Sequence, residues 1–216
     1  MNEKDVLEAL GKVREGSKKR KFVQSFDLII NLKQLNLKKP EHKIDLFVTI
    51  DSGIGKKRKV CALVDKELMT EAKKTFDIVI SKGEFSKLTK KDIKKLAKEN
   101  DFFVAQATIM TDVAKVFGRI LGSRGLMPNP KAGCVVLPTA QLGPIYQRLQ
   151  HLIRLQVKAE PIVKVCIGSE AQDDSLVAKN IITAYNAVMY VLPQEKNNIK
   201  NALLKVTMGT PIQIKV

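Results

Sequence analysis

The chain has 216 residues, 44% of them hydrophobic, and carries 38 Lys and Arg against 22 Asp and Glu. That length predicts two domains, because domains commonly contain about 100–150 residues. The formal net charge of +16 predicts a polyanionic partner, and its spread along a globular sequence favours nucleic acid over a membrane surface. No apolar stretch is long enough for a signal peptide or a membrane span, so we expect a cytoplasmic protein without a membrane partner.

The first 59 residues predict one helix, two strands and a linker. Apolar side chains recur at helical spacing over residues 6–13, and the charged run REGSKKRK ends that helix. Two alternating strands follow, SFDLIINL after Phe22 and IDLFVTI over residues 44–50. The stretch DSGIGKKRK, residues 51–59, has two glycines and four consecutive cations, which predicts a flexible, exposed linker.

Beyond the linker, apolar strands alternate strictly with helices. The predicted strands are VCALV, DIVI, FFVAQA and CVVLP. Four helices are predicted: one over residues 66–75, one that starts after Thr89, one that ends near Gly122, and one that runs through Ile145 to Leu155. Thr89 and Asp92 form a predicted capping box. This alternation predicts an α/β domain with a Rossmann-like parallel sheet.

Strands return after Leu155 as RLQVKA and IVKVCI, followed by a helix over about residues 174–192 and the closing pair ALLKVT and PIQIKV. A piece of about 60 residues buries a marginal core. We therefore expect both chain ends, 1–59 and 156–216, to form one discontinuous α+β domain, interrupted by the inserted α/β domain 60–155, with relative motion between the two. The two-ended domain has 22 basic and 13 acidic residues and the inserted one 16 and 9, so net charge does not indicate which domain binds the polyanion.

The most distinctive string is GRILGSRGLMPNPKAG, residues 118–133. One hypothesis is a phosphate-binding loop with Arg119, Arg124 and Lys131 adding charge. The glycine spacing matches neither a P-loop nor a dinucleotide-binding turn. A rigid helix-to-strand connection, with Gly122 as the left-handed C-cap, is the favoured interpretation.

Residues suited to catalysis are sparse. Cys61, Cys134 and Cys166 lie singly in apolar runs, which predicts buried thiols in a reducing compartment. We find no nucleophile motif and no cysteine with a histidine nearby in sequence. The sequence therefore predicts no enzyme, no metal site and no cofactor.

Two short strings are candidates for RNA contact. In KKRKF, residues 18–22, four cations precede Phe22, whose ring either stacks on RNA or is the first core residue of the strand. In TMGT, residues 207–210, the hydroxyls of Thr207 and Thr210 could bond to ribose 2′-hydroxyls, although an ordinary hairpin turn is the favoured alternative.

Together with the 118–133 string, these segments resemble the L-one family of large-subunit ribosomal proteins over nearly the whole chain. KKRKFVQSFDLIINLK and the pair Lys39–Pro40 are most similar to its archaeal and eukaryotic branch. The family pattern would have proline where this chain has Ser123. The resemblance implies two domains, a free monomer, docking on the rRNA stalk beside the exit-site tRNA, help in releasing deacylated tRNA, and repression of the protein's own mRNA.

The resemblance also implies which residues contact RNA. They are Phe22 and Ser25 on the first strand and Thr207, Met208 and Gly209 near the C-terminus, with Lys21, Lys158 and Lys164 as companions. The loop carrying Arg119, Arg124 and Lys131 is expected to be either structural or tRNA-facing. Alternatives to the ribosomal role are a general RNA-binding translational regulator, an RNA-modifying or nucleotide-dependent enzyme, and a general duplex-binding architectural protein.

Overall fold

The computed structural model describes residues 1–36, 39 and 42–215. Its helices are α1 (Glu3–Glu15), α2 (Met69–Thr75), α3 (Lys90–Glu99), α4 (Met110–Arg124), α5 (Leu142–His151) and α6 (Asp174–Val191). Its strands are β1 (Ser25–Leu32), β2 (Asp45–Thr49), β3 (Val60–Val64), β4 (Ile78–Ser81), β5 (Phe102–Gln106), β6 (Val135–Val136), β7 (Leu152–Gln156), β8 (Ile162–Ser169), β9 (Ile199–Val206) and β10 (Ile212–Ile214). Pro40 of the lysine-proline pair and Val216 of the predicted last strand lie outside the described residues.

The chain divides into two compact units. The outer unit contains Met1–Lys56 and His151–Val216, and the inserted unit contains Lys57–Gln150. No helix among the described residues is long and apolar enough to span a membrane.

The outer unit is built on a four-stranded antiparallel sheet in the order β10-β9-β1-β8. Side chains of β1 alternate strictly between buried and half-buried, because successive residues of a strand point to opposite faces. The buried set, which includes Phe26 and Leu28, packs with α1 and α6 in one apolar cluster. The sheet joins strands from the two chain ends, so neither end encloses this core alone.

The stretch 51–59 is not the uniformly exposed linker that its composition predicts. Gly53 is buried, and its carbonyl accepts a hydrogen bond of 2.9 Å from the Asn180 side chain. Ile54 packs against the outer unit's core. The first half of the stretch is therefore a fixed turn, and the contact boundary between the units falls after Lys56.

The helix predicted through Leu155 is wrong beyond His151. Residues Leu152–Gln156 form β7, which pairs antiparallel with β2. Arg154 holds this pair, with its Nε 2.7 Å from Asp45 Oδ1 and its Nη2 2.8 Å from Asp45 Oδ2. The partner lies 109 positions away in sequence, so local periodicity does not reveal the strand, and β7 belongs to the outer unit although the predicted boundary lay after Leu155.

The inserted unit contains the parallel sheet that the alternation predicts, in the order β4-β3-β5-β6. Cys61 and Leu63 of β3 join α3 and α4 in an apolar cluster. Phe76, which directly follows α2, packs edge-on against Tyr146 of α5, with the ring centres 5.8 Å apart. The connection from β3 to β4 and the connection from β5 to β6 run in opposite directions across the sheet. Because such connections are right-handed as a rule, α2 and α4 lie on opposite faces of the sheet.

Of the two predictions about helix ends, the capping box at the start of α3 is confirmed and the C-cap of α4 at Gly122 is wrong. The capping box of α3 is present, because Thr89 and Asp92 exchange hydrogen bonds between side chain and backbone. Helix α4 passes through Gly122 and ends at Gly125, which has the left-handed φ of 71°. The Gly125 and Leu126 amides donate to Gly122 and Leu121, 3.0 and 2.9 Å away, as a terminating left-handed glycine allows.

Two of the three cysteines are buried as predicted, Cys61 and Cys134. Burial raises the pKa of the Cys61 thiol to about 12 and that of Cys134 to about 11. Cys166 is only partly buried, because β8 turns this side chain to the sheet face opposite Phe26 and Ile167.

Candidate RNA interface

The start of β1 and the end of β9 are fastened together at Ser25 and Thr207. The Thr207 amide donates to the Ser25 carbonyl at 3.0 Å. The Thr207 hydroxyl accepts from the Ser25 amide at 3.1 Å and lies 3.3 Å from the Ser25 carbonyl, to which it donates. The hydroxyl is thus engaged by the protein backbone, and its role is to fix the ends of two strands that are 182 residues apart in sequence.

The turn that follows holds Met208 outward. The Met208 amide donates to the Gln24 side-chain oxygen at 3.2 Å, while the Met208 side chain is 62% exposed. The Gly209 amide donates to the Val206 carbonyl at 2.9 Å. A Cβ at position 209 would lie 2.6 Å from Val206 Cγ2, so only glycine fits this turn without movement of Val206.

Phe22 is exposed, and the interpretation that it is the first core residue of the strand is wrong. Its side chain is 54% exposed, and β1 begins three residues later at Ser25. The ring lines a shallow depression of about 460 Å³ together with Lys19, Arg20, Lys21, Val23, Glu170 and Ala171. An exposed ring beside several cations suits stacking on a nucleic acid base or ribose next to phosphates.

Gln24 links the depression to the Met208 turn. It is buried, its carbonyl accepts from the Glu170 amide at 2.8 Å, and its side chain holds Met208. Because one buried side chain anchors the turn between two exposed apolar groups, the arrangement is set by the fold before any ligand arrives. We call Phe22, Ser25, Thr207, Met208 and Gly209 the β1–β9 patch.

Arg14 fixes the segment behind the patch. Its guanidinium lies 2.7 Å from Asp174 Oδ1, donates to the carbonyls of Glu170 and Gln172 at 2.9 and 3.1 Å, and sits 5.2 Å from the centre of the Phe26 ring. Charge-assisted bonds of this kind are the stronger class of hydrogen bond. The loop that carries Glu170 is therefore held from the end of α1.

Gln172 and Asn180 complete this support. The Gln172 side chain accepts from the Ser169 amide at 2.9 Å and donates to the Ser52 carbonyl at 3.2 Å. Asn180 donates to the carbonyls of Gly53 and Ile167, each at 2.9 Å. Sequence reasoning missed Arg14, Gln24, Gln172 and Asn180, because each acts through partners far along the chain and no local motif marks them.

Lys158 and Lys164 lie apart from the patch. Lys164 of β8 is paired with Ile29, four residues along β1 from Ser25, which is about 13 Å at the usual rise of a strand. Both lysines line a second depression, of about 440 Å³, with Arg154, Gln156, Ala159, Glu160 and Ile162. Lys164 also lies 3.8 Å from Glu160. Lys21, in contrast, adjoins Phe22 in the first depression.

The 118–133 string belongs to the inserted unit and forms a helix end and a turn. The Gly125 and Gly133 amides already donate to the backbone carbonyls of Gly122 and Pro130, so they are not presented to a phosphate. Arg124 donates to the Ala97 carbonyl at 3.0 Å and thereby ties α4 to the end of α3. Arg119 and Lys131 are exposed. This geometry favours the rigid connection over the phosphate-binding loop.

Within the described ranges, no group of three His, Cys, Asp or Glu side chains has the arrangement of a metal site.

Comparison with known proteins gives a family and a set of relatives. The model of the Ribosomal protein L1p/L10e family matches residues 13–210. The Large ribosomal subunit protein uL1 of Nanoarchaeum equitans is 39% identical over 212 residues, which cover 96% of this chain and 98% of that protein. The proteins of the same name from Methanothermobacter thermautotrophicus and Methanothermococcus thermolithotrophicus are each 36% identical, over 98% and 100% of this chain and 99% and 100% of theirs.

Proposed function

The chain belongs to the Ribosomal protein L1p/L10e family, and on that premise we propose that it is a structural, RNA-binding constituent of the large ribosomal subunit that anchors to stalk rRNA through the β1–β9 patch. The proposal concerns binding alone, with no bond made or broken.

One observation carries the proposal: two exposed apolar side chains flank a ledge that the protein has already fixed. Phe22 and Met208 are exposed, while the backbone between them is tied at Ser25–Thr207 and Gln24–Met208. A ledge of backbone and apolar groups offers stacking and van der Waals contact to ribose and bases. Such contacts recognise the shape of a folded RNA more than its sequence.

The cations beside the ledge supply the remaining affinity. Lys18, Lys19, Arg20 and Lys21 precede Phe22 and are all exposed. Phosphate contacts of this kind are strong at low salt and are weakened as salt rises. We therefore assign specificity to the ledge and sequence-independent attraction to the basic run.

The proposed function includes two further roles, one for the β1–β9 patch and one for the inserted unit. A patch that recognises shape would also bind a stalk-like fold in the protein's own mRNA, which allows repression of its translation. The inserted unit, with exposed Arg119 and Lys131, would face the exit-site tRNA and assist release of deacylated tRNA. A lone translational regulator would use the patch in the same way, without the ribosome.

The test is equilibrium binding of the full chain to three ligands: a stalk-derived rRNA fragment, a scrambled hairpin of the same composition, and duplex DNA. Each is measured over a salt series. We expect the stalk fragment to bind about 10³-fold or more tightly than the others at physiological salt, as specific complexes generally do.

Equal binding of all three ligands, collapsing together as salt rises, would overturn the assignment and leave a general duplex-binding protein. Stoichiometric binding of a nucleotide or methyl-donor cofactor would favour the RNA-modifying enzyme instead.

A further inference from the structure

The inserted unit carries very different charge on its two helical layers. Residues 82–99 and 110–124, which include α3 and α4, contain ten basic and four acidic residues. Residues 65–77 and 142–151, which include α2 and α5, contain four of each. The positive charge of this unit is therefore concentrated on one face.

Helix α3 holds the densest part of that charge. Lys91, Lys94, Lys95 and Lys98 are all exposed, and at about 100° per residue they fall within an arc of about 100° of the helix surface. The opposite arc contains Ile93 and Ala97, which are buried. We call these four residues the α3 lysine row.

Among the described residues only Lys12, Lys57, Lys82 and Lys164 form ion pairs, so the row shares its lack of an acidic partner with most lysines and differs from them in its density on one helix face. Lys12 pairs with Glu8 one turn away in α1, and Lys82 lies 3.0 Å from Asp112. No residue of the row takes part in an ion pair within the part of the chain that the structure describes. A solvated helix face usually alternates acids and bases at this spacing, and this one does not.

The charge pattern also works against the helix that carries it. Lys91–Lys95 and Lys94–Lys98 are like-charged pairs four residues apart, which destabilise a helix. Lys90 and Lys91 occupy the first turn, where positive charge opposes the helix dipole. The acidic residue near that end, Asp92, is engaged in the Thr89 capping box, and its electrostatic attraction to Lys95 is the smaller of its interactions.

We propose that the α3 lysine row is a second nucleic-acid surface, which binds the sugar–phosphate backbone of double-helical RNA without reading its sequence. Lysines four residues apart recur every 6 Å along the helix axis, as its rise of 1.5 Å per residue requires. Several of them can therefore meet successive phosphates of one strand. Arg119 and Lys115 of the neighbouring α4 are exposed and add to the same field.

This surface goes beyond the proposed function, which gives the inserted unit a tRNA-facing role through Arg119 and Lys131 but assigns no RNA contact to α3. It does not depend on the β1–β9 patch, which lies in the other unit. The patch would select a folded RNA by shape. The row would attract any RNA helix by charge, so its contribution is visible as salt dependence.

The test compares two triple variants of the full chain. Lys91→Gln, Lys94→Gln and Lys98→Gln remove charge from the row. The matched control, Lys66→Gln, Lys73→Gln and Lys74→Gln, removes the same charge from exposed positions in or just before α2. The readout is the slope of log affinity against log salt for a 20-base-pair RNA duplex of arbitrary sequence.

We expect the row variant to lower the slope by about 2–3, since each lysine that contacts a phosphate contributes about one. We expect the control to change the slope by less than about one. The row variant should also melt at the same or a higher temperature than the parent, because glutamine has a helix propensity like that of lysine and the repulsion is gone. Equal loss in both variants, or no loss in the row variant, would overturn the proposal.

The outcomes separate this proposal from the previous one. If the stalk fragment is not preferred but the row variant still lowers the duplex slope, the patch assignment fails and the α3 surface stands. If the stalk fragment is preferred and both triple variants keep the parent slope, the α3 surface fails and the patch assignment stands.

Discussion

The β1–β9 patch and the α3 lysine row are built in opposite ways. The patch contains no charged residue, and its backbone is tied by hydrogen bonds between residues 182 and 184 positions apart. The row consists of four long cations on one exposed helix face, and none of them forms an ion pair with another described residue. The first arrangement fixes a shape and the second displays a charge.

This contrast shows how one basic chain can separate specificity from attraction. Rigid contacts lose affinity when their geometry changes, and they respond little to salt. Phosphate contacts tolerate movement, because the lysine stem is flexible, but they weaken as ions compete. Substitutions in the two regions should therefore change different measured quantities.

The largest expected effect comes from Gly55, which lies against Gln172 and Ser169 in the loop that supports the patch. Its φ is 70°, and a Cβ there would lie 2.7 Å from both Gln172 and Ser169. We expect Gly55→Ala to lower the free energy of unfolding by about 2–4 kcal/mol, from left-handed strain plus overpacking. Urea unfolding measures it.

Gly122→Ala is the matched control. Gly122 lies inside α4 with no atom within 4 Å of an added Cβ, so we expect a gain of about 0.5–1 kcal/mol. Unchanged stability of Gly55→Ala would mean that the 51–55 turn does not support the patch.

The next effect is the loss of the Thr207 hydroxyl. Thr207→Val keeps the shape but leaves the Ser25 amide without its 3.1 Å acceptor. We expect stalk rRNA to bind more weakly by about 1–3 kcal/mol with the salt slope unchanged. Filter binding at several salt concentrations measures both quantities.

Thr139→Val, at an exposed threonine of the inserted unit, serves as the control for that variant. A comparable loss in Thr139→Val, or a reduced slope in Thr207→Val, would contradict a fixed ledge.

A smaller effect is expected at Lys19, in the basic run beside Phe22. Lys19→Ala should reduce the salt slope by about one for stalk and scrambled RNA alike, because it removes one phosphate contact. Lys179→Ala, exposed on α6, should not. If Lys19→Ala changed the preference between the two RNAs, the basic run would carry specificity.

The smallest effect concerns stability and pH at Asp27. This side chain is half-buried in β1, and desolvation raises its pKa although Lys205 opposes the rise. A carboxyl with a raised folded pKa favours the folded state below its unfolded pKa and loses that contribution as pH rises through the folded pKa. We expect Asp27→Asn to stabilise the chain at pH 7 by up to about 0.5 kcal/mol.

That gain should shrink toward pH 3, where Asp27 is protonated in both states. Melting temperatures at the two pH values check the sign, and an equal gain at both would rule out a titration effect.

The sequence predicted the elements whose signals are local. The inserted sheet follows from four apolar strands separated by helices, and the start of α3 follows from the Thr89–Asp92 box. The pairing of the two chain ends in one sheet was also predictable, since neither end buries a core alone. The L-one family, in its archaeal and eukaryotic branch, was predicted from its motifs, and the family match together with the archaeal relatives confirms it.

The parts that could not be predicted depend on distant partners. The helical spacing of apolar residues in α5 continues into residues 152–156, and these residues form strand β7 because they pair with β2. The left-handed residue that ends α4 is Gly125, whereas the sequence predicted Gly122, because two glycines three residues apart give the same local signal. The supports Arg14, Gln24 and Gln172 have no motif, since their partners are loop carbonyls and amides fixed by the tertiary fold.

The most direct test of the shape-reading patch is the affinity of stalk rRNA for Met208→Ala beside Leu137→Ala. The two side chains are almost equally exposed, at 62% and 65%, but only Met208 lies in the patch. We expect Met208→Ala to weaken stalk binding by about 5–100-fold at constant salt slope, and Leu137→Ala to bind like the parent. If Met208→Ala binds stalk rRNA as tightly as Leu137→Ala does, the β1–β9 patch is not the RNA-binding site.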